Sequence, residues 1–334
     1  MKKEIINCIT IGDIKGIGLE LIFSIWLKYK KKTGPFFILG DYNYIKKTLD
    51  QYNYSFSLKK IQNLNDTKKY FNNFLPVLDI KSKNPEYNAY DSLVKSKELA
   101  KKNLITGIIN LPINKNKIIS INKNFIDQTN FYGKTKKGNV NILFYDKKII
   151  ISPLTSHIPL TSVKKFIKKN FIYNKILILI NSLKSDFKIL NPVIGVTGLN
   201  PHSGENGRIG LEEKKILLPV IKKLKNMGVK ISGPYSADGM FNVDNLNKFD
   251  CIITMYHDQG LIPFKILSNN EGVNFTSGLD FVRSSPCHGT AYNLVKKNNA
   301  SEKSLANAIY LTNKIYKNRK NGKKISRAKF LNRP

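Results

Sequence analysis

Cysteine is scarce in this sequence: Cys8, Cys251 and Cys287 make an odd number, and none stands in a Cys-x-x-Cys spacing. That excludes a disulfide framework and a thiolate zinc knuckle. Long hydrophobic runs are missing as well, since no apolar stretch approaches the roughly 18 residues of a membrane span. The opening MKKEIINCIT has a basic start, but Asn7 breaks its apolar run and Gly12 and Asp13 close it. It makes a poor signal peptide and a better first strand. A soluble, cytoplasmic protein is the expectation. Acidic residues are few: 23 Asp and Glu stand against 56 Lys and Arg, a formal net charge of +33. Such a balance invites a nucleic-acid or anionic-membrane reading. Against it, the excess is lysine spread over the whole chain beside Asn, Ile, Tyr and Phe, the residues an A/T-rich coding sequence favours. The aromatics are not gathered on a basic run as a stacking platform requires. The expectation is a solvated basic surface that steers anionic ligands, with no nucleic-acid or membrane partner.

What is present is a core-forming chain. With 334 residues, 41% of them hydrophobic, it has the length for two domains or one large one and the composition of a folded protein. Apolar, β-branched runs alternate with helical spacing. Ile5 to Ile11 reads as a buried strand, Leu19 to Tyr29 as a helix, Phe36 to Leu39 as a strand, Tyr44 to Gln51 and Ala89 to Lys102 as helices, and Ile105 to Leu111 as a strand. Tyr52 to Asn88, rich in Asn and Lys, carries no clear pattern. Val140 to Tyr145 and Lys148 to Ile151 read as a hairpin around Asp146 and Lys147, followed by helical stretches from Thr161 to about Leu190. Val193 to Val196, Val229 to Ser232, Cys251 to Met255 and Gly272 to Thr276 read as further strands, and Glu212 to Lys225 as a helix. SGLDFVRSSPCHGT reads as a loop ahead of two closing helices, about Ala291 to Lys297 and Glu302 to Lys317, and the Lys/Arg-rich end as loosely held. This alternation is the pattern of α/β architecture with mostly parallel sheets.

Three of the four histidines, His157, His202 and His257, lie in loops that each follow a strand-like run. A lone strand-end histidine is more often structural; three of four in the same kind of place read as one metal site. Asp238 and Asp258 lie near these loops and suit either further ligation or fixing an imidazole tautomer. The spacing is no local motif of the HExxH kind. His288, before Gly289 and Thr290 at a helix start, reads as structural or phosphate-facing about as readily as catalytic. GDIKGIG lacks GxGxxG spacing and reads as a tight strand-to-helix turn. Lys265, Asn274 and Arg283 follow on successive loops and suit an anionic small substrate, Arg283 being the more telling in a chain that so rarely uses arginine.

NPHSGENG with the following GLEE, YHDQGLIPFK, GVNFTSGLDFVRSSPCHGTA, the early GDIKGIGLE and the PINK of Pro112 to Lys115 together resemble the 4-hydroxythreonine-4-phosphate dehydrogenases of pyridoxal phosphate biosynthesis, in order and over nearly the whole chain. The resemblance implies two α/β/α domains flanking a cleft, of the isocitrate/isopropylmalate dehydrogenase kind, placed here at 1–125 with 280–334 and at 126–279. It implies a homodimer with its metal near the subunit interface. His157, His202 and His257 would be the ligands of one divalent ion, zinc first, with magnesium or cobalt as alternatives. Gln128, Thr129, Lys265, Asn274 and Arg283 would contact the phosphorylated substrate, and NAD or NADP would take the hydride. In the family His-Thr is usual where this chain has Gln128 and Thr129, and Asp where it has Cys287. The implied reaction is oxidation of 4-phosphooxy-L-threonine with loss of carbon dioxide, Asp238 and Asp258 being the candidate proton carriers. Rival readings are a dehydrogenase of another phosphorylated hydroxy acid and a basic nucleic-acid-binding protein on an old enzyme fold.

Overall fold

The computed structural model describes residues 5–82, 84–133, 140–297 and 300–331, with side chains from 323 onward, where the loosely held end was expected, outside that description. The chain divides into two compact units, Met1–Thr135 with Leu279–Lys317, and Lys136–Gly278 with Asn318–Pro334.

In the first unit β1 (Asn7–Thr10), β2 (Phe36–Gly40), β3 (Ser57–Ile61), β4 (Phe74–Asp79) and β5 (Gly107–Asn110) are joined by β12 (Val282–Pro286), in the order β3-β4-β2-β1-β5-β12. Every pairing among them is parallel. The central strands NCIT, FFILG and GIIN are buried at every position, as expected of strands covered on both faces. β3 is at the edge and alternates instead, with Lys59 and Lys60 exposed, and charges of this kind discourage pairing with a further strand. The helix Gly18–Thr33 is buried almost all round from Gly18 to Trp26, the helix Asn88–Lys101 buries one side, and Trp26 is fully buried with its Nε1–H donating to the Phe71 carbonyl at 3.0 Å. Gly107 lets the closing helix Lys303–Leu331 lie hard against β5, because a Cβ there would stand 2.4 Å from Thr312 Cγ2.

In the second unit β6 (Asn141–Tyr145), β7 (Ile150–Pro153), β8 (Ile194–Thr197), β9 (Ile231–Tyr235), β10 (Cys251–Thr254) and β11 (Val273–Ser277) run in the order β11-β6-β7-β10-β8-β9. β6 is antiparallel to both neighbours, and the hairpin suggested by the sequence turns at Lys147 and Lys148, between the mutually bonded Asp146 and Ile149. β7, β10, β8 and β9 are mutually parallel. Arg319 is held in this unit by a bidentate pair to buried Asp186, at 2.7 and 3.0 Å.

Three sequence readings are corrected. Tyr52 to Asn88 holds β3, the helix Asp66–Phe71 and β4. The supposed loop SGLDFVRSSPCHGT contains β12, a wholly buried strand hidden by its polar letters VRSSP. The Ser284 hydroxyl is satisfied inside: its Oγ donates to the Ala308 carbonyl at 3.0 Å and meets Thr312 Oγ1 at 2.6 Å. The helix expected over Ala291 to Lys297 is only a 3-10 turn, Tyr292–Leu294, since Ala291 ahead of it takes a left-handed φ of 46°. Among the described residues no helix is long and apolar enough to cross a membrane.

Candidate active-site clusters

The histidine loops leave neighbouring strands. β7 leads to His157, β10 to His257, β8 to His202 and β9 to Asp238, and since these four strands are parallel and adjacent, all four loops emerge at the same, carboxyl end of the sheet. Ligand sites of open α/β sheets form at such ends. Spatial order differs from chain order: β10 lies between β7 and β8. His157 and His257 are accordingly brought together, with ring centroids 5.5 Å apart, beside a cavity of ≈ 220 Å³ lined by Thr155, Leu160, Val163, Tyr256 and Asp258 as well as the two rings. Asp258 Oδ1 lies 2.6 Å from His257 Nδ1, which orients the ring and leaves Nε2 as the nitrogen for a ligand. His202 does not join this pair, and among the described residues no group of three His, Cys, Asp or Glu side chains could hold a metal ion.

His202 is exposed at the start of an unusual backbone. His202, Ser203, Gly204, Glu205 and Asn206 all have left-handed dihedrals, with φ of 48°, 55°, 80°, 41° and 56°. For the non-glycine residues this costs roughly 1–2 kcal/mol each. Strain of this kind persists where surrounding bonds over-determine it. They do so here: Ser203 Oγ donates to the Pro234 carbonyl at 2.9 Å, and the backbone N–H groups of Leu199 and Asn200 donate to Glu213. His157 also has a left-handed φ, 55°. Gln259 ties the β8 and β10 ends together, accepting from Thr197 Oγ1 and Met255 N at 2.8 and 2.7 Å and donating to the Gly198 carbonyl at 2.9 Å. Asp238 is exposed, and the Ser236 hydroxyl and Gly239 amide hold its carboxyl below the ordinary range. A carboxylate held low suits accepting hydrogen bonds or facing a cation better than carrying a proton near neutrality.

A second cluster forms in the first unit. Arg283, on β12, is 1% exposed. Its Nε–H donates to Asn110 Oδ1 at 2.7 Å, one terminal nitrogen to Gln128 Oε1 at 2.8 Å and the other to Thr129 Oγ1 at 3.4 Å. Gln128 and Thr129 open the helix Gln128–Gly133, and Gln128 Nε2 donates back to the Leu111 carbonyl at 3.1 Å. Asn110 is wholly buried and donates to Thr10 Oγ1 and Tyr132 Oη, both at 3.0 Å. Burial pushes the guanidinium down to about 10 and the Tyr132 phenol up to about 12, while Tyr132 and Asp127 act to restore the arginine. At neutral pH Arg283 therefore remains a cation. The structure thus unites Gln128, Thr129 and Arg283. In the other unit Lys265 is exposed on the last turn of the helix His257–Leu267, and Asn274, on β11, keeps a buried Oδ1 without a hydrogen-bond partner. Cys287 is half-buried, and its backbone N–H donates to Ser304 Oγ at 3.0 Å.

Sequence reading missed Asn110, Gln259 and Glu213. Each is a polar residue at the end of an apolar strand or the start of a helix. The detectable signal was the position of Asn110 in GIINLP, immediately after buried apolar residues and before a proline.

A family model described as pyridoxal phosphate biosynthetic protein PdxA matches residues 31–312. The 4-hydroxythreonine-4-phosphate dehydrogenase of Bacteroides thetaiotaomicron is 40% identical over 238 residues, 70% of this chain and 65% of that protein. The enzyme of that name from Aquifex aeolicus is 36% identical over 310 residues, 91% of this chain and 96% of that protein. A solved structure described as a putative 4-hydroxythreonine-4-phosphate dehydrogenase from Salmonella typhimurium matches with a TM-score of 0.82 at 27% identity, covering 94% of this chain and 100% of that one.

Proposed function

The chain belongs to the PdxA family, the 4-hydroxythreonine-4-phosphate dehydrogenases of pyridoxal phosphate biosynthesis, and from that premise we propose that it oxidises 4-phosphooxy-L-threonine with NAD or NADP in the cytoplasm. Carbon C3 of the substrate gives up its hydrogen as hydride to the nicotinamide, and the hydroxyl on it loses a proton to solvent or a nearby carboxylate. The 3-oxo acid then loses its carboxylate as carbon dioxide, and the carbon that bore it takes up a proton to give 3-amino-2-oxopropyl phosphate.

The observation that carries this reading is the delivery of His157, His257 and His202 to one end of one sheet by parallel strands. The donor set fits a divalent ion of the zinc type: two imidazoles side by side, one fixed through its second nitrogen by Asp258. A divalent ion, when bound, supplies Lewis acidity toward the oxygen being oxidised. One chain brings two imidazoles together, and on this reading the third comes from a second copy of the chain. Exposed apolar side chains beside the pair favour a homodimer: Leu160 is 68% exposed, and Ile262 and Ile266, one turn apart on the His257–Leu267 helix, are 60% and 76% exposed. Arg283 holds a fixed positive charge for the anionic substrate, aligned by Asn110, Gln128 and Thr129. Asn274 Oδ1 is an acceptor suited to an ammonium or hydroxyl, and Lys265 adds a second cation.

The test is NADH formation from 4-phosphooxy-L-threonine by protein stripped with a chelator and then given back zinc, cobalt or magnesium. Activity is expected to vanish on stripping and return with the ion. Full turnover after stripping would sink the metal role, and faster turnover of another phosphorylated hydroxy acid would sink the substrate.

A further inference from the structure

The segment GLEE closes the His202 loop, and its second glutamate has no part in the reading above. Glu213 is 4% exposed. Its Oε1 accepts from the backbone N–H groups of Leu199 and Asn200, both at 2.8 Å, and its Oε2 from Asn200 Nδ2 at 3.0 Å. The same Asn200 amide donates to Glu212 Oε2 at 3.0 Å, and Glu212 Oε1 pairs with Lys164 at 2.8 Å. The loop closes over the carboxylate from both sides: a Cβ on Gly198 would stand 3.1 Å from Oε1, and one on Gly204 2.7 Å from Oε2. Two residues past Asn200 the left-handed run begins with His202, and Ser203 is fixed in turn to the Pro234 carbonyl.

The imidazole is therefore carried between two anchored points, one of them supplied by Glu213 from outside the loop. A carboxylate is the acceptor for this task, because its two oxygens take three N–H donors that no neutral side chain of that size accepts together. We infer that Glu213 is a positioning residue for His202, acting through the backbone of residues 198–204. The inference rests on the reading of His202 as a metal ligand.

The experiment titrates metal-free full-length protein with Co²⁺ and follows the visible absorption of the bound ion, alongside thermal unfolding of the metal-free form. Glu213→Gln keeps the shape but turns an acceptor into a donor facing the Asn200 amide, which Glu212 prevents from reversing. It is expected to weaken Co²⁺ binding roughly ten- to hundredfold and to alter the spectrum, as loss of a ligand's support does. A residue serving only stability would lower the unfolding temperature and leave the affinity and spectrum of the folded protein unchanged; that result overturns the inference. Asn200→Ala, at a half-exposed position, removes one of the three donors and is expected to weaken binding in the same direction by less, so a Glu213 variant that fails to fold does not end the test. His202→Ala is the reference. If it loses the ion while both other variants bind as the parent does, Glu213 has no positioning role. If it binds Co²⁺ like the parent, the three-imidazole reading falls, and the role of Glu213 with it.

Discussion

The arginine cluster and the histidine cluster are built in opposite ways. Arg283 is buried on a strand, and its partners Asn110, Gln128 and Thr129 are set by a strand end and a helix start. His157 and His202 are exposed and stand on left-handed backbone, and His257 is half-buried and oriented by its exposed neighbour Asp258. The fold completes the first cluster from within and leaves the histidines at the surface of the sheet end. The difference has an energetic consequence. Changes at the arginine must cost stability and activity together, whereas changes at the histidines cost activity alone.

The sharpest way to break that contrast is His257→Ala. Turnover is expected to fall about 10³-fold, the several kcal/mol that Lewis-acid stabilisation supplies, while unfolding free energy stays within about 0.5 kcal/mol of the parent. A matching loss of stability in denaturant unfolding would show the histidine to be structural. Arg283→Met should cost both. It leaves Asn110 Oδ1 and Gln128 Oε1 buried without their donor, and the cost in unfolding free energy is expected to be about 2–4 kcal/mol, together with loss of substrate binding. A folded, fully stable Arg283→Met protein would mean that the cluster is not the strut described above.

Lys175 sharpens the comparison, because it is a partly buried cation of the histidine-bearing unit. Its Nζ donates to the Val140 carbonyl at 2.5 Å, and burial lowers its pKa from 10.5 to about 8. The unfolded chain then binds more protons than the folded one between pH 8 and 10.5, so this residue makes the protein more stable as pH rises through that window. Below pH 8 its buried charge is a full penalty. Lys175→Met should therefore show its greatest advantage over the parent at neutral pH, by about 1–2 kcal/mol, with the gap closing toward pH 10. A gap that does not change with pH would remove burial as the cause.

Much of the fold was legible because its central strands are short, apolar and bounded by Gly, Pro and Ser. Val193 to Val196 and Cys251 to Met255 were located to within a residue of β8 and β10, and their histidines followed at the strand ends. β12 was not legible, because a buried strand that carries an arginine and two serines has no apolar signature; its polarity is answered by Asn110, Ala308 and Thr312 from elsewhere in the chain. Nor was the pairing of His157 with His257. That follows from β10 inserting between β7 and β8, an order no local spacing encodes. Gln259 escaped for the same reason, since its partner Thr197 lies on a strand distant in the chain, and Glu213 because its bonds to Leu199 and Asn200 depend on how one loop folds back on itself.

Gln128→His tests the smallest term in the arginine cluster. Gln128 both accepts from Arg283 through Oε1 and donates to the Leu111 carbonyl through Nε2, and neither function changes with pH. A neutral imidazole has one acceptor and one donor and can serve the same two partners. A protonated one has two donors. It then loses the acceptor that Arg283 uses and places a second positive charge beside the guanidinium. The variant should therefore match the parent to within about 1 kcal/mol well above the ordinary histidine pKa of about 6.5 and fall behind it as pH drops through that value. The quantity to measure is the ratio of kcat/KM for variant and parent across pH, because every pH effect common to the two proteins cancels in it. A ratio that stays level on the acidic side would show that residue 128 does not face the guanidinium during turnover, and that the pairing of Gln128 with Arg283 serves folding alone.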